Sequence, residues 1–184
     1  MFWDEKPNQN VRQETIFKAT ELAYMGVNGK RSQTQQKTRV RWCSLPLNWC
    51  KVNSNGFALG NPRRAGGGGL IHNNKGEWIQ GYVRAIGCTT SVVAELWALR
   101  DGIRLCITLK IPAVVFELDA KLIVDLLQKE ESHLNSIGAL VSDCKAGLKE
   151  IPMVKIQHCY REANKCANTL ARGELSSHRI LLFC

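Results

Sequence analysis

Between residues 92 and 106 the apolar positions Val92, Leu96, Leu99, Ile103 and Cys106 follow one another at steps of four, three, four and three. Such a stripe occupies one face of a 3.6-residue helix and predicts an amphipathic helix laid on a core. Thr89, Thr90 and Ser91 precede it and offer an N-cap hydroxyl, and Pro112 is expected to stop it. The pattern then changes: residues 113–118 form a near-continuous apolar run, which marks a strand covered on both faces.

Upstream, a first strand is expected over about residues 48–54, and the compact domain is expected to begin near residue 41. Gly66, Gly67, Gly68 and Gly69 lead into Leu70 and Ile71, then Asn73, Asn74, Lys75 and Gly76 supply turn chemistry before residues 77–85. Two strands joined by an Asn/Gly turn fit this order, and with the first strand they make an antiparallel meander. Downstream, Asp119 opens a second helix carrying Leu122, Ile123, Leu126 and Leu127, and a third helix is expected over residues 137–149. Pro152 breaks the chain, residues 153–159 alternate as a last strand, and residues 162–172 form a final helix with Gly173 in the left-handed cap position.

The order β-β-β-α-β-α-α-β-α predicts an α/β domain over residues 41–173. Its mixed five-stranded sheet joins a three-strand antiparallel meander to two parallel strands and is flanked by helices. Residues 1–40 read as a basic polar linker or arm with room for one short helix over residues 13–24. Residues 174–184 form a tail without an assigned element, whose apolar end, residues 180–183, either docks on the body or marks a disrupted reading frame.

A chain of 184 residues, 45% hydrophobic and 22% charged, suits one globular domain. No apolar run approaches the roughly 20 residues of a membrane helix, and the first ten residues lack a signal-peptide core. An intracellular monomer is therefore expected, with nucleus and cytoplasm both open. The eight cysteines show no C-x-x-C pair and no zinc spacing, so they read as reduced thiols, several of them buried.

Charge changes the picture more. The net charge is +9, and from Leu22 to Gly76 there is no acidic residue while Lys30, Arg31, Lys37, Arg39, Arg41, Lys51, Arg63, Arg64 and Lys75 are basic. Clustered cations favour a polyanionic partner through counterion release, although a solvated basic face reads the same way.

Four places carry candidate chemistry. Glu95 lies about 40° from Leu99 around the helix axis, at the edge of the apolar face, where a carboxylate needs a partner, a metal ion or a path to solvent. Asp119 follows a buried parallel strand, where ligand sites of open α/β sheets collect, but it is equally placed to cap the next helix. Asn55-Gly56 reads locally as a tight turn ending the first strand, and an Asn before Gly is prone to deamidate. His158 and Arg161 fall where the last strand gives way to the last helix.

The segments NWCKVNSNG (48–56), AGGGGLIHNNKGEWIQGYVRAIG (65–87), VVAELWALRDGIRL (92–105), VVFELDAKLIVDLL (114–127) and HCYREANKCANTLA (158–171) resemble ribonuclease H-like domains of plant non-LTR retroelements. The five blocks come in family order. The resemblance implies cleavage of the RNA strand of RNA/DNA hybrids by two Mg2+ or Mn2+ ions held by four carboxylates. It places those four positions on Asn55, Glu95, Asp119 and Asn168, and a mobile loop histidine on His158. Two departures stand out, because the family carries aspartate where this chain has Asn55 and Asn168. Glu95 and Asp119 remain as the expected metal ligands, and Arg63, Arg64, Arg161 and Asn164 are the expected nucleic-acid contacts.

An amide matches a carboxylate in size but carries no charge and one oxygen fewer. The leading expectation is thus a hybrid-binding domain with weak metal binding and weakened or lost cleavage. Two alternatives compete with it: a working hybrid ribonuclease that tolerates the amides or recruits another acid such as Asp125 or Glu162, and a relic or protein-interaction domain.

Overall fold

The computed structural model describes residues 45–60, 62–129, 136–161, 163–173 and 180–183; the expected arm over residues 1–40 lies outside them. Ten elements follow in order: β1 (Cys50–Ala58), β2 (Arg63–His72), β3 (Trp78–Thr89), α1 (Ser91–Thr108), β4 (Ala113–Leu118), α2 (Lys121–Gln128), α3 (Ser136–Glu150), β5 (Met153–His158), α4 (Lys165–Gly173) and β6 (Ile180–Phe183). The sheet order is β5-β4-β1-β2-β3-β6. Strands β1, β2 and β3 pair antiparallel, while β4 runs parallel to both β1 and β5. The expected five-stranded mixed sheet is therefore present. The sixth strand was not assigned from sequence: β6 pairs antiparallel with β3, Gly81 opposite Phe183 and Arg84 opposite Ile180.

The α1 stripe is the centre of the core. Val92, Leu96, Leu99, Ile103 and Cys106 are each at most 1% exposed, packed with Val52, Ile71, Val114, Phe116 and Leu118 of the sheet. Each such side chain contributes about 1.5–3 kcal/mol on burial. Thr90 caps the helix, its Oγ1 accepting from the Val93 N–H at 3.4 Å. The helix ends at Thr108, ahead of Pro112: Lys110 takes a left-handed φ of 54°, and the Ile111 N–H reaches back to the Cys106 carbonyl at 3.0 Å. That closure resembles a Schellman stop, so the chain turns before the proline is reached.

Glycine lets helices press onto the sheet from both sides. A Cβ on Gly56 would lie 2.0 Å from the Glu95 nitrogen, so α1 crosses β1 at that residue. A Cβ on Gly66 would lie 2.5 Å from the Ala171 carbonyl oxygen, and one on Gly68 would lie 3.0 Å from the Ala171 nitrogen, which seats α4 on the other face.

Four local expectations are corrected. Asn55-Gly56 is not a turn; both residues lie inside β1, opposite Gly68 and Gly67, because Gly56 is the contact point for α1. Lys51 is not a surface cation, being 3% exposed and bridged to Glu117 at 2.8 Å. Asp119 does not cap α2, whose N-cap is Ala120 with no side-chain hydrogen bond. Gly173 is the last residue of α4 rather than a residue beyond it. The turn at residues 73–76 holds, with Gly76 at φ 82° and the Asn73 Oδ1 accepting from the Lys75 and Glu77 N–H groups. Cys106, Cys144 and Cys159 are free and buried. Among the described residues no helix is long and apolar enough to cross a membrane.

Candidate metal and nucleic-acid site

The parallel strands set the geometry. Ser54 of β1 registers with Leu118 of β4, and Leu118 with His158 of β5. Asn55 and Asp119 are the next residues on neighbouring strands, which run about 4.8 Å apart. The carboxyl ends of β1, β4 and β5 thus converge on one edge of the sheet, the usual ligand position in such sheets.

Glu95 enters from α1. Its Oε2 accepts the Gly56 N–H at 2.8 Å, so one backbone donor fixes the carboxylate beside Asn55. It is 7% exposed. Burial pushes the Glu95 carboxyl well above the ordinary carboxylate range and the Asp119 charge pushes it further, while the Gly56 N–H and Arg161 offset this only in part. Asp119 is also raised, by burial, against the opposing pull of Arg161, the Asn164 amide and His158. The Arg161 Nε stands 3.7 Å from the Asp119 Oδ2, a pairing that leaves the arginine half exposed.

Asn55 is 1% exposed; its Nδ2 donates to the Gly56 carbonyl at 3.2 Å and its Oδ1 has no partner. Asn164, expected as a nucleic-acid contact, is 1% exposed, and its Nδ2 donates to the Ser54 carbonyl at 2.8 Å. This bond ties the start of α4 to the end of β1. Asn168 sits one helical turn further on, and its Oδ1 accepts from the Arg172 Nε at 3.0 Å. Arg172 lies over the Phe57 ring at 4.1 Å, two residues beyond Asn55 on the same face of β1, which sets the Asn168 turn on the Asn55 side.

His158 ends β5 and is exposed, its ring edge-on to Tyr160 at 6.0 Å. Arg63 and Arg64 pair with Thr89 and Cys88 at the strand ends that lead into α1. They stand five and four residues along β2 from Gly68, the partner of Asn55, so roughly 14–17 Å away. Sequence reasoning singled out neither Arg172 nor Phe57, and only their mutual stacking across two elements reveals them.

The unpartnered Oδ1 atoms of Asn55, Asp119 and Asn164 are buried hard-oxygen donors, the type that Mg2+ takes. The carboxylates among these residues number two, Glu95 and Asp119. Among the described residues no group of three or more His, Cys, Asp or Glu is arranged to hold a metal ion. The donor chemistry fits one divalent cation and does not fit two, since two such ions bring four positive charges to a site with at most two negative ones.

Residues 53–173 match the model of the reverse transcriptase-like family. The chain belongs to that family. An Arabidopsis thaliana protein named "Putative ribonuclease H protein" is 34% identical over 145 residues, which cover 79% of this chain and 23% of that relative. The chain thus spans about a quarter of the relative's length. Among solved structures, the N-terminal RNase H domain of a Mycobacterium tuberculosis protein, fused to maltose-binding protein, superposes with a TM-score of 0.65 at 22% identity, covering 69% of this chain and 93% of that one. LC11-RNase H1 in complex with an RNA/DNA hybrid superposes with a TM-score of 0.59 at 26% identity, covering 68% and 96%. This reverse transcriptase-like domain is therefore ribonuclease H-like in fold and of the plant type, related to RNA/DNA hybrid ribonucleases.

Proposed function

We propose that this domain binds RNA/DNA hybrids at the sheet edge formed by Asn55, Glu95 and Asp119, and that its cleavage is weak or lost. The observation that carries this reading is Asn55, a buried amide with an unpartnered oxygen, set where the family resemblance requires a carboxylate between Glu95 and Asp119. Glu95 and Asp119 are the residues that would hold a divalent ion, with the Asn55 Oδ1 as a neutral third oxygen. When bound, such an ion supplies Lewis-acid stabilisation of charge on a phosphoryl oxygen.

What the chain itself supplies is positioning. The Gly56 N–H orients Glu95, Arg161 leans on Asp119, and Arg63 and Arg64 offer phosphate contacts further out. Recognition would follow backbone shape and 2′-hydroxyls rather than base sequence. His158 ends β5 at the same edge, which supports the role of the loop histidine that the resemblance gives it.

A labelled hybrid tests the reading, with binding followed by anisotropy in EDTA and cleavage followed in Mg2+ and in Mn2+. Salt-sensitive binding without appreciable cleavage is expected. Metal-dependent turnover at the rate of an intact four-carboxylate enzyme would establish the working ribonuclease instead, and failure to bind at low salt would leave the relic or protein-interaction reading.

A further inference from the structure

Among the described Phe, Trp and Tyr side chains Tyr160 is the most exposed, at 56%. Its position is nevertheless fixed. The Cys159 N–H extends the sheet pairing to the Leu118 carbonyl at 2.9 Å, the Ala163 N–H closes a turn on the Tyr160 carbonyl at 2.8 Å, and the Asn164 N–H bonds the Arg161 carbonyl at 3.1 Å. A large aromatic held outward on a braced loop forgoes core burial, so its worth must come from elsewhere.

The surroundings indicate what it meets. Its neighbour Arg161 reaches Asp119, and its ring meets His158 in an edge-on contact at 72°, an arrangement that uses at most one face of one ring and leaves an aromatic face open. An open aromatic face beside a guanidinium and a carboxylate site matches a nucleotide, whose base stacks while its phosphate meets the cation. Bases inside a continuous duplex are already stacked on one another and cannot use that face. We propose that Tyr160 forms a stacking subsite for one unpaired nucleotide flanking the strand bound at Glu95 and Asp119. This inference rests on the nucleic-acid-binding reading of the same site.

The full chain is titrated with a blunt hybrid and with the same hybrid carrying a short single-stranded RNA extension, a fluorescent purine analogue being placed in the extension. The extension is expected to tighten binding about 5- to 100-fold, the range that base-on-aromatic stacking supplies, and to quench the analogue. Tyr160→Ala should lose the gain and the quenching while keeping the blunt-hybrid affinity, and Tyr160→Phe should keep all three. Because the side chain is exposed, Tyr160→Ala is expected to melt with the parent chain, which a thermal scan verifies. Blunt binding with no gain from the extension, or a gain that survives Tyr160→Ala, overturns the subsite alone. Failure of the parent chain to bind either hybrid overturns the subsite together with the reading beneath it.

Discussion

Replacing Asn55 by Asp should make the stability of this fold depend on a divalent cation. The side chain is 1% exposed, and its unpartnered Oδ1 faces no compensating donor. A carboxylate placed there adds a third negative group beside Glu95 and Asp119, both already raised by burial. An uncompensated buried charge of this kind costs about 3 kcal/mol. In EDTA, Asn55→Asp should therefore unfold at distinctly lower urea than the parent. With Mg2+ present at about a hundred times its dissociation constant, linkage returns about 2.7 kcal/mol, enough to cancel most of that loss. The parent, with two carboxylates, should gain under about 0.5 kcal/mol from the same addition, as expected when the ion is near or below its dissociation constant. Adding Asn168→Asp should then restore cleavage of a hybrid. The carboxylate introduced by that second substitution would meet Arg172 as an i, i+4 helix pair worth only about 0.3–0.5 kcal/mol, so Arg172 will not withhold it from a metal. Urea unfolding followed by tryptophan fluorescence, with and without Mg2+, reads the effect. If Asn55→Asp is as stable as the parent in EDTA and indifferent to Mg2+, position 55 does not face the two acids and the site is misplaced.

Three further outcomes are expected. Because the Glu95 pKa is raised in the folded state, that carboxyl contributes stability fully below its ordinary value of 4.5 and loses it as pH rises through the raised value, so Glu95→Gln should flatten the metal-free decline above pH 4.5; an unchanged slope would remove Glu95 as a source. Lys51→Ala should destabilise the domain by about 1–3 kcal/mol, because half-buried Glu117 loses its cation and keeps only the Asn53 and Gln157 amides, whereas Arg63→Ala should leave the melt unchanged and reduce the slope of log affinity against log salt by close to one; the reverse pattern would contradict the split between buried and phosphate-facing cations. Folded protein should resist deamidation at Asn55, because the strand is extended and the Gly56 nitrogen that would attack is engaged by Glu95; mass spectrometry should show equal rates in native and urea-unfolded samples only if that protection is absent.

What the sequence made legible was local. The α1 stripe, its threonine cap, the β4 run and the turn at residues 73–76 each carry their signal within a few residues, and each appears where the pattern put it. Three of the misreadings share one cause, which is a contact made far along the chain. Asn-Gly is a turn signal to its neighbours, yet Gly56 is in a strand because Glu95 and Ala94 press on it. Lys51 belongs to a basic stretch by position and to a buried ion pair by virtue of Glu117, which no nearby residue announces. The apolar residues 180–183 had no periodicity to follow, and only the free edge of β3 gives them a partner. At the site, Glu95 was legible as a carboxylate at the edge of an apolar face, and Asp119 as one at the end of a buried parallel strand. The resemblance drew Asn55 and Asn168 toward them. That Asn168 turns an oxygen to Arg172 follows from helical spacing, whereas the seat of Arg172 on Phe57 needed the fold.

The two amides also lower the charge that this edge has to accommodate. Four buried carboxylates at one sheet edge repel one another and hold together only when cations are bound. With two of them neutral, the remaining pair is managed by groups the chain itself provides. The Gly56 N–H satisfies one Glu95 oxygen and Arg161 partly neutralises Asp119. Under the reading proposed above, the site trades the charge that two-metal chemistry requires for an edge its own groups can hold, the usual direction of a stability and activity trade-off. Arg63 and Arg64, the phosphate contacts proposed above, lie some distance from the acids, so the proposed grip does not draw on the charge at this edge.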